Sequence, residues 1–244
     1  MEHQEKKLQI TKIPNHLALI LDGNGRWALK RGLKRYEGHQ KGIETLGEIA
    51  RAAFNKGIKY LSAYVFSTDN FKRSSIEVNF LMSQAKYYFK KYLDTPQEKE
   101  EYTLHIIGEL TNLDDELKLL IEKVNNKNSK NSYHLILAFN YGSQEEIVNV
   151  TKKIAYQVKE GNLDVNDITK DIISKNLYTN AFPPVDFLIR TSGELRLSNF
   201  MLWQLSYSEL YFTDVLWPDF NSLELEKALI AFEKRERRFG KEHT

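Results

Sequence analysis

The chain has 244 residues, 41% hydrophobic and 28% charged, and no Gly/Ser/Pro-rich linker divides it, so a single domain around one large core is expected. Its 35 Lys and Arg against 33 Asp and Glu leave a net charge of +2, which excludes the broad basic excess of a general nucleic-acid binder. The absence of cysteine excludes disulfides, thiolate metal sites and a cysteine nucleophile. Residues 1–13 read as a loose polar leader without the apolar stretch of a signal peptide. No apolar run approaches the roughly 20 residues that span a bilayer, so a cytoplasmic protein is expected.

Taken in chain order, Leu17 to Leu21 is a continuous apolar run ending at Asp22, which suits a strand buried on both faces. Gly23-Asn24-Gly25 breaks the chain, and a helix starts near Arg26. A second helix carries Ile43, Leu46, Ala50, Ala53 and Phe54 on one face and ends at Gly57. Tyr60 to Phe66 is the next strand, followed by a polar segment, Ser67 to Ser75, and a long aromatic-rich helix from Ile76 to Leu93. Thr103 to Ile107 is a strand, Leu113 to Val124 a helix whose first turn holds Asp114-Asp115, and Asn125 to Ser132 a polar loop. His134 to Phe139 is a strand leading through Asn140-Tyr141-Gly142 into a helix from Gln144 to Lys159. Phe187 to Ile189 and Leu210 to Phe212 are the last strands, and a charged helix runs from Ser222 to Phe239. Alternating strands and helices predict an α/β fold, with a central, mainly parallel six-stranded sheet covered by helices. In such sheets ligands bind at the carboxyl ends of the strands. The segments 22–26, 67–73, 140–142 and 190–198 all follow strands, so they are expected to converge on one site.

Each segment has its own chemistry. Asp22-Gly23-Asn24-Gly25-Arg26-Trp27 offers backbone N–H groups at a helix start for an anion, and a carboxylate that shares Mg²⁺ with phosphate oxygens. The plainer alternative is a tight turn capped by Asp22. It is neither a Walker loop nor a Gly-x-Gly-x-x-Gly fingerprint. Arg31, Arg35 and His39 are spaced to share a helical face and to grip phosphate, although Gly32 and Gly38 interrupt the segment and a solvated basic face is the alternative. Ser67 to Arg73 reads either as a closing loop that brings Arg73 onto a phosphate or as ordinary surface loop. Arg190 to Ser198 combines two arginines with hydroxyls, suited to a second diphosphate or to surface ion pairs. Glu209 is either a second Mg²⁺ ligand or a satisfied polar group at the sheet edge. Phe80, Leu81, Tyr87, Tyr88, Phe89, Tyr92 and Leu93 serve mostly as core, with some lining an apolar channel.

In this order, several stretches resemble the cis-prenyltransferase family, most closely its bacterial branch that makes undecaprenyl diphosphate. They are His16 to Ala28, Gly38-His39 with Gly42, Phe66 to Arg73, and Phe139 to Gly142. They continue with Asp186 to Phe200, Trp203-Gln204, Glu209 to Thr213, Leu216 to Phe220, and Arg235 to Gly240. The resemblance implies that residues 14–244 are the catalytic domain, with an apolar channel for the prenyl chain. It implies condensation of isopentenyl diphosphate with an allylic diphosphate, farnesyl diphosphate by preference, to a long-chain Z-polyprenyl diphosphate. That product would be undecaprenyl diphosphate, for the lipid carrier of cell-wall synthesis; a short- or medium-chain product is the alternative. Asp22 is then the Mg²⁺-binding catalytic aspartate. Gly23, Asn24, Gly25, Arg26, Trp27, Arg35 and His39 bind the allylic substrate, and Ser67, Asn70, Phe71 and Arg73 form the loop that assists ionisation. Asn70 is catalytic within that loop. Arg190, Arg196 and Ser198 take isopentenyl diphosphate, and Glu209 assists the metal. The resemblance further implies a homodimer, in which Arg238-Phe239-Gly240 reaches toward the partner's site, and transient contact with a membrane surface for product release.

The chain departs from the family pattern at Asp69-Asn70-Phe71, where Glu-Asn-Trp is usual, at Ser74, often Pro, and at Gln144, often basic. None of these removes a charge assigned to metal or diphosphate. A non-catalytic partner subunit would lack Asp22. A generic phosphate-ester enzyme would need a Walker-type loop or a water-activating base, and the sequence has neither.

Overall fold

Residues 10–236 are described in the computed structural model of the chain. Six strands, β1 (His16–Ile20), β2 (Tyr60–Ser67), β3 (Thr103–Ile107), β4 (His134–Tyr141), β5 (Phe187–Arg190) and β6 (Glu209–Phe212), form one sheet in the order β3-β4-β2-β1-β5-β6. Every neighbouring pair is parallel, so the expected mainly parallel sheet is wholly so. The α-helices among the described residues are α1 (Asn24–Leu29), α2 (Arg35–Asn55), α3 (Ser75–Asp94), α4 (Asp115–Asn125), α5 (Ser143–Lys159), α6 (Lys170–Asn176) and α7 (Ser222–Glu233).

The pleat explains the apolar run of β1. Leu17 and Leu19 enter a core with Leu46 and Ile49 of α2, Phe89 of α3, Leu117 of α4 and Leu229 of α7. Ala18 and Ile20 enter the opposite core with Leu188, Phe200 and Met201. Alternate residues of one strand thus face two covered sides, and all five positions of β1 are buried.

The structure departs from the sequence reading at several points. A short 3-10 helix, Thr68–Lys72, occupies the expected polar segment. The helix α6 was not expected; it is short, and its apolar Ile172 and Ile173 pack with Leu177 against Val150 and Ile154 of α5. The last helix stops at Glu233, because the charged run Lys234-Arg235-Glu236 offers no apolar face and Arg235 turns back to the Glu209 carboxylate (3.1 Å) and the Leu210 carbonyl (2.7 Å). The remainder of that expected helix, with Arg238-Phe239-Gly240, lies outside the described residues, as do residues 1–9 of the expected leader. The described part of that leader is tied down: the Thr11 amide and hydroxyl both donate to Glu233 Oε1 at 2.7 Å. Asp114 caps α4 by accepting from the Leu117 amide at 3.0 Å. Among the described residues no helix is long and apolar enough to cross a membrane.

Candidate active site

The carboxyl ends of β1, β2 and β5 open onto one cavity of about 960 Å³. Its lining combines polar and basic side chains, Asp22, Arg26, Arg35, His39, Arg73, Arg190 and Arg196, with apolar ones, Ile43, Leu46, Val65, Phe66 and Leu81. Gly23, Asn24, Gly25, Ser67, Asn70 and Ser198 complete the expected residues that it gathers.

Asp22 is placed by the sheet. Beyond β1 its amide donates to Thr191 Oγ1 (3.1 Å), and that hydroxyl donates to the Asp22 carbonyl (2.7 Å), tying the turn to the residue after β5. Gly23 then takes a φ of +107°, with Leu216 Cδ2 only 2.9 Å from where a Cβ would stand, so a side chain is excluded both by conformation and by space. Asp22 Oδ2 accepts from Arg190 Nη2 at 2.9 Å and Oδ1 from Arg26 Nη2 at 3.3 Å. Arg190 is 3% exposed, and its Nη1 donates to Ser198 Oγ (2.8 Å) and to the Arg196 carbonyl. Its Nε is buried without a partner, as is Asn24 Oδ1. Arg26 also donates to Ser192 Oγ, to the Ser192 carbonyl (3.3 Å) and to Glu194 Oε1 (3.0 Å).

The first two turns of α2 bring Arg35 and His39 to the same cavity. A Cβ at Gly38 would lie 2.0 Å from the Asn24 carbonyl oxygen, so the glycine that seemed a helix breaker is what lets α2 press against α1. The break falls instead at residues 30–34, where Gly32 has a φ of +69°. Arg31 is therefore not on the helix of Arg35 and His39. It pairs with Asp219 at 3.1 Å and lies 4.4 Å over the Trp27 ring, whose Nε1 donates to Asp219 Oδ1 at 2.6 Å. Trp27 does not line the cavity.

The segment after β2 folds back on itself, with Asn70 Oδ1 accepting from the Ser67 amide at 3.1 Å. Arg73 Nη1 and His39 Nε2 meet on a single oxygen, Glu77 Oε1, at 2.7 and 2.8 Å. Burial alone would raise the Glu77 carboxyl, but hydrogen bonding and charge from His39 and Arg73 outweigh it and hold the group below the ordinary range. Burial lowers His39, against the pull of Glu77. Glu77 was missed in the sequence, where Ser74-x-x-Glu77 signals only a helix start.

Three expected members lie elsewhere. Phe71 packs edge-on against Phe66 (5.0 Å) and lines a separate pocket of about 460 Å³ with Asn140. The Asn140 amide donates to the Glu109 (2.7 Å) and Thr111 (3.2 Å) carbonyls, so this segment does not join the main cavity either. Glu209 opens β6 opposite Phe187, at the amino end of the sheet, and pairs with Arg235. It is three strand positions, roughly 10 Å, from the end where Asp22 sits. Within one chain it does not share a metal with Asp22.

Asp22 alone fits Mg²⁺. Its side chain is 29% exposed at the cavity wall, and one carboxylate beside substrate phosphate oxygens is an ordinary setting for that ion. Among the described residues no three His, Asp or Glu side chains are grouped to hold a metal by themselves.

The family described as "Putative undecaprenyl diphosphate synthase" matches residues 20–240. The chain is 44% identical to the "Isoprenyl transferase" of Geobacillus kaustophilus over 97% of this chain and 95% of that protein. It is 44% identical to the "Ditrans,polycis-undecaprenyl-diphosphate synthase ((2E,6E)-farnesyl-diphosphate specific)" of Pasteurella multocida over 96% of this chain and 98% of that one. Among solved structures, lavandulyl diphosphate synthase from Lavandula x intermedia in complex with dimethylallyl diphosphate superposes with a TM-score of 0.84 at 37% identity, covering 93% of this chain and 98% of that one. With a family match over residues 20–240, near full-length relatives and a superposable fold, the chain belongs to the undecaprenyl diphosphate synthase family of cis-prenyltransferases.

Proposed function

We propose that this prenyltransferase condenses isopentenyl diphosphate with farnesyl diphosphate, in the presence of Mg²⁺, to undecaprenyl diphosphate for a cell-wall lipid carrier. The observation that carries the reading is one cavity lined both by cationic groups around Asp22 and by the apolar Ile43, Leu46, Val65, Phe66 and Leu81. In this reading Arg26, Arg35, His39 and Arg73, with the backbone of Gly23 to Gly25, orient the allylic diphosphate. Arg190, Arg196 and Ser198 hold isopentenyl diphosphate, and Ser67 and Asn70 close the entrance. The prenyl chain lies along the apolar lining. Asp22 would hold Mg²⁺, which would supply neutralising charge for the departing diphosphate.

The exposed guanidiniums of Arg26, Arg196 and Arg73, paired here with Glu194 and Glu77, turn to phosphate oxygens as charge builds there. The allylic C–O bond breaks with its electron pair leaving on pyrophosphate, the positioned alkene attacks that carbon, and the resulting cation gives up a proton to a pyrophosphate oxygen, which sets the cis double bond. The sequence resemblance also supports a homodimer, a cytoplasmic setting and brief contact with a membrane surface. Labelled isopentenyl diphosphate incubated with farnesyl, geranyl or dimethylallyl diphosphate and Mg²⁺ is expected to give a product of undecaprenyl length, best from the farnesyl primer. No chain growth from any primer would overturn the reading. A short product is the second reading, favoured by the dimethylallyl diphosphate in the lavender neighbour, and the same chain-length analysis decides it.

A further inference from the structure

One carboxylate stands behind the arginines of both groups. Glu194 Oε1 accepts from Arg26 Nη1 at 3.0 Å, and Glu194 Oε2 accepts from Arg196 Nη1. Glu194 does not itself line the cavity, while both arginines do. We propose that Glu194 is an exchangeable counter-ion that couples the two diphosphate subsites. The inference rests on the two-subsite reading above, in which Arg26 serves the allylic diphosphate and Arg196 isopentenyl diphosphate.

Every other acceptor on Arg26 is fixed: Asp22 by the turn after β1, and Ser192 by a buried backbone with a φ of +84°. Glu194 reaches it on a partly exposed side chain (27%) whose charged partners among the described residues are Arg26 and Arg196. Arg196 and Arg26 are 59% and 45% exposed, so these pairs are well hydrated and weak, unlike the pair between Asp22 and the buried Arg190. A diphosphate, with more charge and more acceptor oxygens, takes either guanidinium from a carboxylate.

Both pairs run from one side chain, so one rotamer change breaks both. The first diphosphate to bind therefore bears the whole loss, and the second meets an arginine already released. That is a positive coupling between subsites, and by linkage it is the same whichever substrate comes first. After condensation the same carboxylate, swinging back to Arg26, competes with inorganic pyrophosphate and favours its departure. The charge on Glu194 that this requires is secured by Arg196, whose hydrogen bond and charge hold the carboxyl below the ordinary range.

The test is calorimetric titration of isopentenyl diphosphate into wild type and Glu194→Gln, with Mg²⁺ throughout, with and without the unreactive sulfur analogue farnesyl thiodiphosphate. Inorganic pyrophosphate is titrated alongside. In wild type the analogue is expected to tighten isopentenyl diphosphate binding about two- to tenfold, the range open to two exposed ion pairs. In Glu194→Gln, which keeps the size and loses the charge, isopentenyl diphosphate and pyrophosphate each bind tighter by a similar factor unaided, and the analogue adds nothing. A variant that binds isopentenyl diphosphate no tighter than wild type, or keeps the full effect of the analogue, overturns the proposal while wild-type turnover leaves the two-subsite reading standing. A wild-type protein that binds neither diphosphate overturns both.

Discussion

The Asp22 carboxylate and the Arg190 guanidinium meet at 2.9 Å, one just past β1 and the other ending β5. They are far apart in sequence and adjacent because the two strands are parallel neighbours in register, Ile20 beside Arg190. Arg190 is almost wholly buried and has no other carboxylate among the described residues, so Asp22 has two duties: it balances that charge and it presents an acid to the cavity.

Replacing Asp22 separates these duties. Asp22→Ala and Asp22→Asn are both expected to lower kcat for condensation about a hundredfold or more, since each removes charge stabilisation that acts as the diphosphate departs. Asp22→Asn keeps an acceptor for Arg190 and is expected to unfold within a few degrees of wild type, whereas Asp22→Ala loses more because it strands a buried cation. Steady-state kinetics with isopentenyl and farnesyl diphosphates, beside thermal melts, check this; turnover near wild type in either variant refutes the role.

The sheet was legible because its strands are short apolar runs between helical patterns, and the Gly23 turn, the 67–73 segment and the 190–198 segment all lie where such strands end. Side-chain direction was less legible. Trp27, Phe71 and Glu209 belong to matching motifs, yet each is turned away: Trp27 onto Asp219, Phe71 onto Phe66, and Glu209 onto Arg235. Gly38 looked like a break and is a contact, because spacing along the chain does not reveal what passes 2.0 Å from a missing Cβ. Glu77 was missed as a site residue because its contact with His39 of α2 is distant in sequence, while its i,i+4 spacing from Arg73 by itself reads as an ordinary local ion pair.

Arg196 is the exposed arginine of its group and is in neither core, so its removal tests recognition rather than stability. Arg196→Ala is expected to raise the KM for isopentenyl diphosphate about tenfold or more, the usual worth of a hydrogen bond to a charged group, with little change in the KM for farnesyl diphosphate. An unchanged KM for isopentenyl diphosphate would remove the two-subsite assignment.

Glu77 fixes His39 and Arg73 on one oxygen. Glu77→Ala frees both, and the catalytic efficiency with the allylic substrate is expected to fall about tenfold through poorer orientation. Glu77→Gln keeps one acceptor oxygen and should recover part of the loss. If Glu77→Ala melts far below wild type but its folded fraction turns over normally, Glu77 is a packing residue and the positioning role is lost.

Acid stability has a named source in His16, away from the cavity. Its Nδ1 lies 2.8 Å from the Pro183 carbonyl, which only accepts, so Nδ1 carries the proton and Nε2 accepts from Ser62 Oγ at 2.8 Å. Burial lowers this histidine from 6.5 to about 4, despite the opposing pulls of the Pro183 carbonyl and the Asp186 charge. Between those two values the unfolded chain takes up a proton that the folded chain refuses. The contribution is therefore complete above pH 6.5 and is lost as pH falls toward about 4. In that window His16 adds a slope of about 1.4 kcal/mol per pH unit to the unfolding free energy. His105, also lowered to about 4 by burial and the neighbouring His134, acts in the same direction, as do His39 and His134, which burial also lowers, so the wild-type slope contains more than the His16 part. Urea unfolding of wild type and His16→Gln across this range isolates the His16 part: the variant, with His105 intact, is expected to lose stability less steeply by close to one proton. Parallel curves for the two proteins would show that His16 is not held neutral.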